Sequence, residues 1–152
     1  MLDIEKVDHV GIRVSVKETS IAFYRSLGFD LITDVGFEKG HPVIMRHPSG
    51  DVLNLLGPAA ETPSANVLMD VDKKHAGITH VSYKVKSIPA AKAFLAELGV
   101  PLTGEFQFKG LHAVFIRDPD LNVIELDGYE GEEPNTRSTP DEKRADGYDE
   151  HP

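Results

Sequence analysis

The sequence predicts an α+β fold built from two tandem β-α-β-β-β modules. Three observations carry that expectation. Slid along itself by 71 residues, the chain aligns positions 8 to 57 with 79 to 128 without a gap, and 16 of the 50 pairs are identical. They include His9/His80, Val14/Val85, Phe23/Phe94, Gly28/Gly99, His41/His112, Arg46/Arg117, Pro48/Pro119 and Gly57/Gly128, the mark of a duplicated unit. Each copy opens on a period-two stretch and passes into a helical stripe closed by glycine. Finally, 152 residues with 40% hydrophobic and 27% charged content suit one compact domain of soluble type.

The elements follow in order. Residues 7 to 14 alternate, with Val10, Ile12 and Val14 on one face and His9, Gly11 and Arg13 on the other, as in a half-buried strand. The repeat at 79 to 85 sets Val81, Tyr83 and Val85 opposite His80, Ser82 and Lys84. A helix is expected over about 18 to 27, with Ile21, Tyr24 and Leu27 on one stripe and Gly28 as stop. Its counterpart covers about 89 to 98, with Phe94, Leu95 and Leu98 inward. There Ser87 is the candidate N-cap, Pro89 stands where a missing N–H costs little, and Gly99 ends the helix. Three short strands complete each module, near 31–36, 42–46 and 52–56, and near 102–108, 112–116 and 122–126. His47-Pro48-Ser49-Gly50 and Asp118-Pro119-Asp120 supply the last turns. The chain thus divides into modules at 1–57 and 79–128, a polar linker at 58–78, and a tail at 129–152 with only Tyr129, Ala145 and Tyr148 apolar.

The formal charge is −9, and the tail alone holds eight acids against three bases, leaving the body at −4. Phosphate neutralisation needs a clustered basic surface, so nucleic-acid partners are not expected. No apolar run nears the roughly 20 residues that span a bilayer, and the opening Met1-Leu2-Asp3-Ile4-Glu5 is acidic. A cytoplasmic protein without a membrane partner is the expectation. With no cysteine, thiolate catalysis, disulfides, zinc ribbons and iron–sulfur clusters are excluded. Any metal must be held by His, Asp, Glu or neutral oxygen.

Strand parity groups the candidates. His9 and His80 fall on the faces turned away from the helices. On the last strands Val52, Asn54 and Leu56 share one face, as do Val123, Glu125 and Asp127, while Leu53, Leu55, Ile124 and Leu126 suit the helix side. Glu125 sits within Val-Ile-Glu-Leu, a costly place for a carboxylate unless something there binds it.

Two such modules, a His in Asp-His-Val-Gly-Ile, a matching Thr-His-Val-Ser-Tyr, and Arg117-Asp118-Pro119-Asp120-Leu121-Asn122-Val123-Ile124-Glu125-Leu126 resemble the vicinal oxygen chelate superfamily. That group includes glyoxalase I, extradiol dioxygenases, methylmalonyl-CoA epimerase, fosfomycin-modifying enzymes and bleomycin-binding proteins. The resemblance spans about residues 7 to 128. It implies the glyoxalase/bleomycin resistance/dihydroxybiphenyl dioxygenase fold, in which paired modules form a cup-shaped mixed sheet around one divalent metal. Carried over, it makes His9, His80 and Glu125 ligands, with Asn54 where glyoxalase I has Glu. Two histidines and a carboxylate form the set used by non-haem Fe(II) oxygenases, so Fe(II) is the first expectation, with Mn, Co, Ni or Zn as alternatives.

His41 and His112 form a second symmetric pair, expected with Val43, Met45, Val114 and Ile116 to line the cup and to act as general bases. The similar dioxygenases place a His in this region, although with longer spacing, a Tyr at the position of Phe115 and a Gly at that of Leu121. Asn54, Arg13, Met45 and Val114 are the expected substrate-pocket residues. His47 suits a turn, Arg46 and Arg117 an anionic substrate or a strand end, and His75 and His151 solvent.

The chemistry implied is capture of two adjacent oxygens by the metal. An extradiol-type dioxygenase acting on a small catechol-like substrate is the first expectation. The alternative is an isomerase, epimerase or lyase working through an enolate, since similar epimerases carry an amide at the position of Asn54. A non-enzymatic drug-binding protein is the third. A homodimer is expected, with each cup formed by one chain or by modules exchanged between two.

Overall fold

The computed structural model describes residues 1–130. His151 and the tail beyond Glu130 lie outside them. The first module runs β1 (Val10–Arg13), α1 (Lys17–Ser26), β2 (Asp30–Asp34), β3 (Val43–Arg46) and β4 (Val52–Leu56). The second runs β5 (His80–Lys84), α2 (Ile88–Glu97), β6 (Gly104–Phe108), β7 (Leu111–Arg117) and β8 (Val123–Tyr129). The sheets are four-stranded and ordered β1-β4-β3-β2 and β5-β8-β7-β6. In each the first and last strands are parallel and the remaining pairs antiparallel. This is an α+β architecture of two repeated β-α-β-β-β units.

The helices start and stop where local chemistry directs. Ser87 Oγ accepts the Ala90 N–H at 3.2 Å as the cap of α2, and Pro89 lies in its first turn. α1 starts from Val16 with no side-chain cap. Gly28 and Gly99, at φ of +99° and +70°, make the left-handed turns that follow. The duplicated Gly57/Gly128 pair also has a steric cause. A Cβ on Gly57 would stand 1.8 Å from the Phe37 ring, and one on Gly128 2.7 Å from Ile88 Cγ1. Phe37 belongs to a 3-10 turn, Phe37–Lys39, which periodicity did not foretell and which plugs the first module's core.

One core serves both modules. It takes Ile12, Val14, Leu53 and Leu55 from the helix side of the first sheet, Ile21 and Tyr24 from α1, Leu95 from α2, and Ile116 and Ile124 from the second sheet. Phe29, just after α1, meets Tyr83 of β5 edge-on at 6.0 Å. Tyr24 donates to Asp118 at 2.9 Å, Ser15 donates to Asp120 through both its N–H and its hydroxyl, and Asn122 Nδ2 donates to the Arg13 carbonyl. The sheets therefore meet through their helix sides. Their other faces, which carry His9 and His80, point away from the shared core.

Strand register and burial correct the expected directions of Met45, Val114, Phe94 and Leu98. Val43 pairs with Leu55 and Met45 with Leu53, while Val114 pairs with Leu126 and Ile116 with Ile124. Directly opposed residues share a face, so Met45 and Val114 are core residues without exposure rather than pocket lining. On α2 only Leu95 of the expected trio is inward, since Phe94 and Leu98 are 46% and 39% exposed. No helix among the described residues is long and apolar enough to cross a membrane.

Candidate metal centre

Two half-sites occupy the outer faces. On the first sheet His9 immediately precedes β1, and Gly11 pairs with Asn54, which pairs in turn with Ile44. On the second, Ser82 pairs with Glu125 and Glu125 with Phe115, so His80, Ser82, Phe115, Glu125 and Asp127 share a face.

The histidines are held alike. His9 Nδ1 lies 2.8 Å from Asp8 Oδ2, and His80 Nδ1 lies 2.8 Å from Thr79 Oγ1. Asp8 and Thr79 are equivalent positions of the repeat. An oxygen on one imidazole nitrogen fixes the ring and leaves Nε2 for a metal, as is usual around ligating histidines. His80 Nε2 meets Glu125 Oε2 at 2.9 Å. Asp8 is drawn below its ordinary value by the hydrogen bond from His9.

Glu125 is 8% exposed. Burial pushes its carboxyl upward, the neighbouring Asp127 charge adds to that, and His80 opposes it. Two buried acceptors, Asn54 Oδ1 and Asp127 Oδ1, have no hydrogen-bond partner. A buried polar oxygen without a donor is costly unless another ligand meets it. Nitrogen and oxygen donors of this kind suit a divalent transition metal. Yet among the described residues of one chain no group of three His, Asp or Glu converges as a ready metal cage. His9 and Asn54 occupy one outer face, and His80 and Glu125 another.

The expected bases stand elsewhere. His112 pairs with Gly128 and Gln107 and shares the helix side with Val114 and Ile116, the face opposite Glu125. Its Nε2 is 2.7 Å from Glu105 Oε1, and both Glu105 oxygens accept from Lys92 of α2 at 2.8 Å. Glu105 is held low by the Lys92 hydrogen bond first and by His112 second. His41 precedes β3 in an exposed loop, its ring close to Gly36. Pairing thus puts His112 on the helix side of its sheet, while His41 stands in the loop before β3. β7 alternates as expected, but its His112 register belongs to the helix side.

Arg13 is exposed at the end of β1 on the His9 face. Arg117 donates to the Leu121 carbonyl at 3.0 Å and to Asp70 at 2.8 Å, which serves the last turn. Leu121 adopts φ +62° there, the left-handed form that favours glycine. His47 sits in the β3–β4 turn with Ser49 Oγ 2.8 Å from its Nδ1. His75 is exposed in the linker.

Sequence reasoning missed an aromatic wall. Phe115 stacks on Phe106 at 6.0 Å and lies edge-on to His80 at 6.3 Å. Phe106 is opposite Ala113, on the same face as Glu125. The signal was present in the β6 alternation Glu105-Phe106-Gln107-Phe108. A separate cavity of about 710 Å³ opens on the helix side of the second sheet, lined by Leu27, Phe29, Tyr83, Phe94 and Leu126 among others. It lies across the sheet from Glu125 and has no part in this centre.

The family model of the Glyoxalase/Bleomycin resistance protein/Dioxygenase superfamily matches residues 6–126. No curated protein matches. Among solved structures, a glyoxalase/dioxygenase from Nostoc punctiforme is 22% identical, with a TM-score of 0.65, covering 82% of this chain and 91% of that one. A lactoylglutathione lyase from Agrobacterium tumefaciens is 18% identical with a TM-score of 0.61, covering 82% and 94%. TnmS3, an antibiotic binding protein from a Streptomyces species, is 22% identical with a TM-score of 0.65, covering 86% and 100%.

Proposed function

The chain belongs to the Glyoxalase/Bleomycin resistance protein/Dioxygenase superfamily, and from that premise we propose that it is a divalent-metal-dependent enzyme for a small substrate with two adjacent oxygen atoms. The observation that carries this reading is the buried Glu125 paired to His80 on an outer sheet face. His9, His80 and Glu125 would hold the cation, and the Asn54 amide oxygen is a neutral neighbour. Because the half-sites lie on separate faces of one chain, a centre takes His9 from one copy and His80 with Glu125 from a second, making the protein a homodimer.

A divalent cation there supplies Lewis acidity, which makes protons on and beside the substrate oxygens easier to remove. Phe106 and Phe115 pack against the substrate's apolar body and exclude water from the bound oxygens. Arg13 adds positive charge beside His9. The proton must pass to a group on the outer faces, where carboxylates and imidazoles lie, and not to His41 or His112. That placement favours an isomerase, epimerase or lyase acting by proton transfer. A second reading, an extradiol-type dioxygenase, draws on the two-histidine, one-carboxylate set and on the stacked phenylalanines, which suit a catechol ring.

Elemental analysis of the full chain, with solvent deuterium exchange into enolisable acids and O2 uptake with catechols, tests both. Stoichiometric metal that His80→Ala removes, with deuterium exchange and no O2 uptake, is the expected outcome. O2 consumption abolished by His80→Ala selects the dioxygenase. Protein that neither carries nor accepts Fe(II), Mn(II), Co(II), Ni(II) or Zn(II) would sink both and leave a binding protein.

A further inference from the structure

The cavity on the helix side of the second sheet takes no part in the reaction proposed above, yet both modules build it. Leu27 and Phe29 follow α1, Tyr83 and Leu126 come from β5 and β8, and Ala91 and Phe94 from α2. Its volume, about 710 Å³, falls among those of sites that enclose a small molecule. Phe29 ties the walls together, with its ring 6.0 Å from that of Tyr83 and 5.2 Å from that of His47. Phe94 lines the cavity and still keeps 46% of its surface exposed.

The walls select the ligand. Those six residues are aliphatic or aromatic, and the one hydroxyl among them, on Tyr83, is shut off from solvent. A polar group pushed inward would lose water without gaining a partner, so the enclosed part of a ligand must be apolar. The charged lining residues, Asp51, Lys84 and Lys86, are all exposed and so stand at the mouth. Asp51 already accepts from the Ser49 hydroxyl at 2.5 Å, and two lysines against one carboxylate leave the mouth net positive. An apolar body with an anionic end matches both parts.

We propose that this cavity is a second small-molecule site, taking an apolar carboxylic acid whose body lies between the modules and whose carboxylate meets the lysines at the mouth. Because its walls come from both modules, an occupant also holds the modules together. The site lies across the sheet from Glu125 and does not depend on the metal reading.

Calorimetric titration of the full chain with octanoate, in EDTA so that no cation captures the carboxylate, tests the proposal. One octanoate per chain and a raised melting temperature are expected. Ala91 lies on the same stripe of α2 as the buried Ile88 and Leu95, so Ala91→Trp fills the cavity and should weaken binding about tenfold or more. Phe94→Ala removes a wall at little cost to folding and should also weaken it. Phe108→Ala, at an exposed phenylalanine of β6, should leave it unaltered, and thermal melting confirms that each variant is folded. Octylamine, of equal chain length, should bind more weakly than octanoate, and Lys86→Gln should narrow that difference. A wild-type chain that takes up no octanoate would overturn the site, as would full affinity retained in both Ala91→Trp and Phe94→Ala. Octylamine bound as tightly as octanoate would overturn the assignment to a carboxylic acid.

Discussion

Asp118 shows what one buried acid does at the junction of the modules. Its Oδ1 accepts the Asp120 and Asn122 backbone N–H groups, and its Oδ2 accepts Tyr24 Oη and Asn122 Nδ2, each at 2.9 Å. Asp118→Ala strands the Tyr24 hydroxyl and two backbone donors in the interior, so a loss of about 3 kcal/mol is expected by urea unfolding. Burial raises Asp118 above its ordinary 3.8, with those hydrogen bonds opposing the rise. An acid with a raised folded value keeps its proton longer in the native state than in the unfolded one. Its contribution to stability is therefore greatest below the unfolded value and falls as pH rises through the window above it. The stability gap between wild type and Asp118→Ala should narrow as pH rises from below the ordinary 3.8 through the raised folded value; a widening gap would refute the sign.

At the scale of elements, α2 is anchored by Ile88 and Leu95 rather than by Phe94, Leu95 and Leu98. Leu95 is fully packed while Phe94 and Leu98 are partly exposed, because the helix crosses the sheet with only a narrow stripe in contact. Leu95→Ala should cost about 3 kcal/mol and Phe94→Ala less than about half of that, as chemical denaturation would show. Equal losses would mean that Phe94 is covered in solution. β7 makes a related point. Its alternation was readable, yet Val114, Phe115 and Ile116 are apolar in sequence and nothing in the strand says which face meets the helices. Pairing of Phe115 with Glu125 decides it, and places His112 across the sheet from the centre.

For the whole molecule the decisive feature is that the modules join through their helix sides. Each chain then displays two half-sites facing outward, and complementation between defective chains becomes a test. His9→Ala and Glu125→Ala chains should each fail to bind cobalt as homodimers. Mixed and allowed to exchange subunits, they should recover binding, because a heterodimer joins an intact His9 from one chain to an intact His80–Glu125 pair from the other. The second centre in that heterodimer carries both defects, so recovery stops at one ion per heterodimer. No recovery despite subunit exchange would place each centre within a single chain.

The sequence by itself determined the duplication, the α+β class, the order of the elements and the face of each first and last strand. These follow from periods of two and 3.6 and from local stops such as Gly28 and Gly99. It also named the His9, His80 and Glu125 positions, since a carboxylate inside Val-Ile-Glu-Leu is conspicuous without any coordinates. Only the tertiary structure decided that His112 lies on the helix side, that Met45 and Val114 are core, and that Phe106 and Phe115 share the face of Glu125. The physical reason is that a strand's own sequence fixes which side chains alternate, whereas its neighbours fix which side is inside. The joining of two modules through one core, a contact between residues as distant as Tyr24 and Asp118, leaves no local trace.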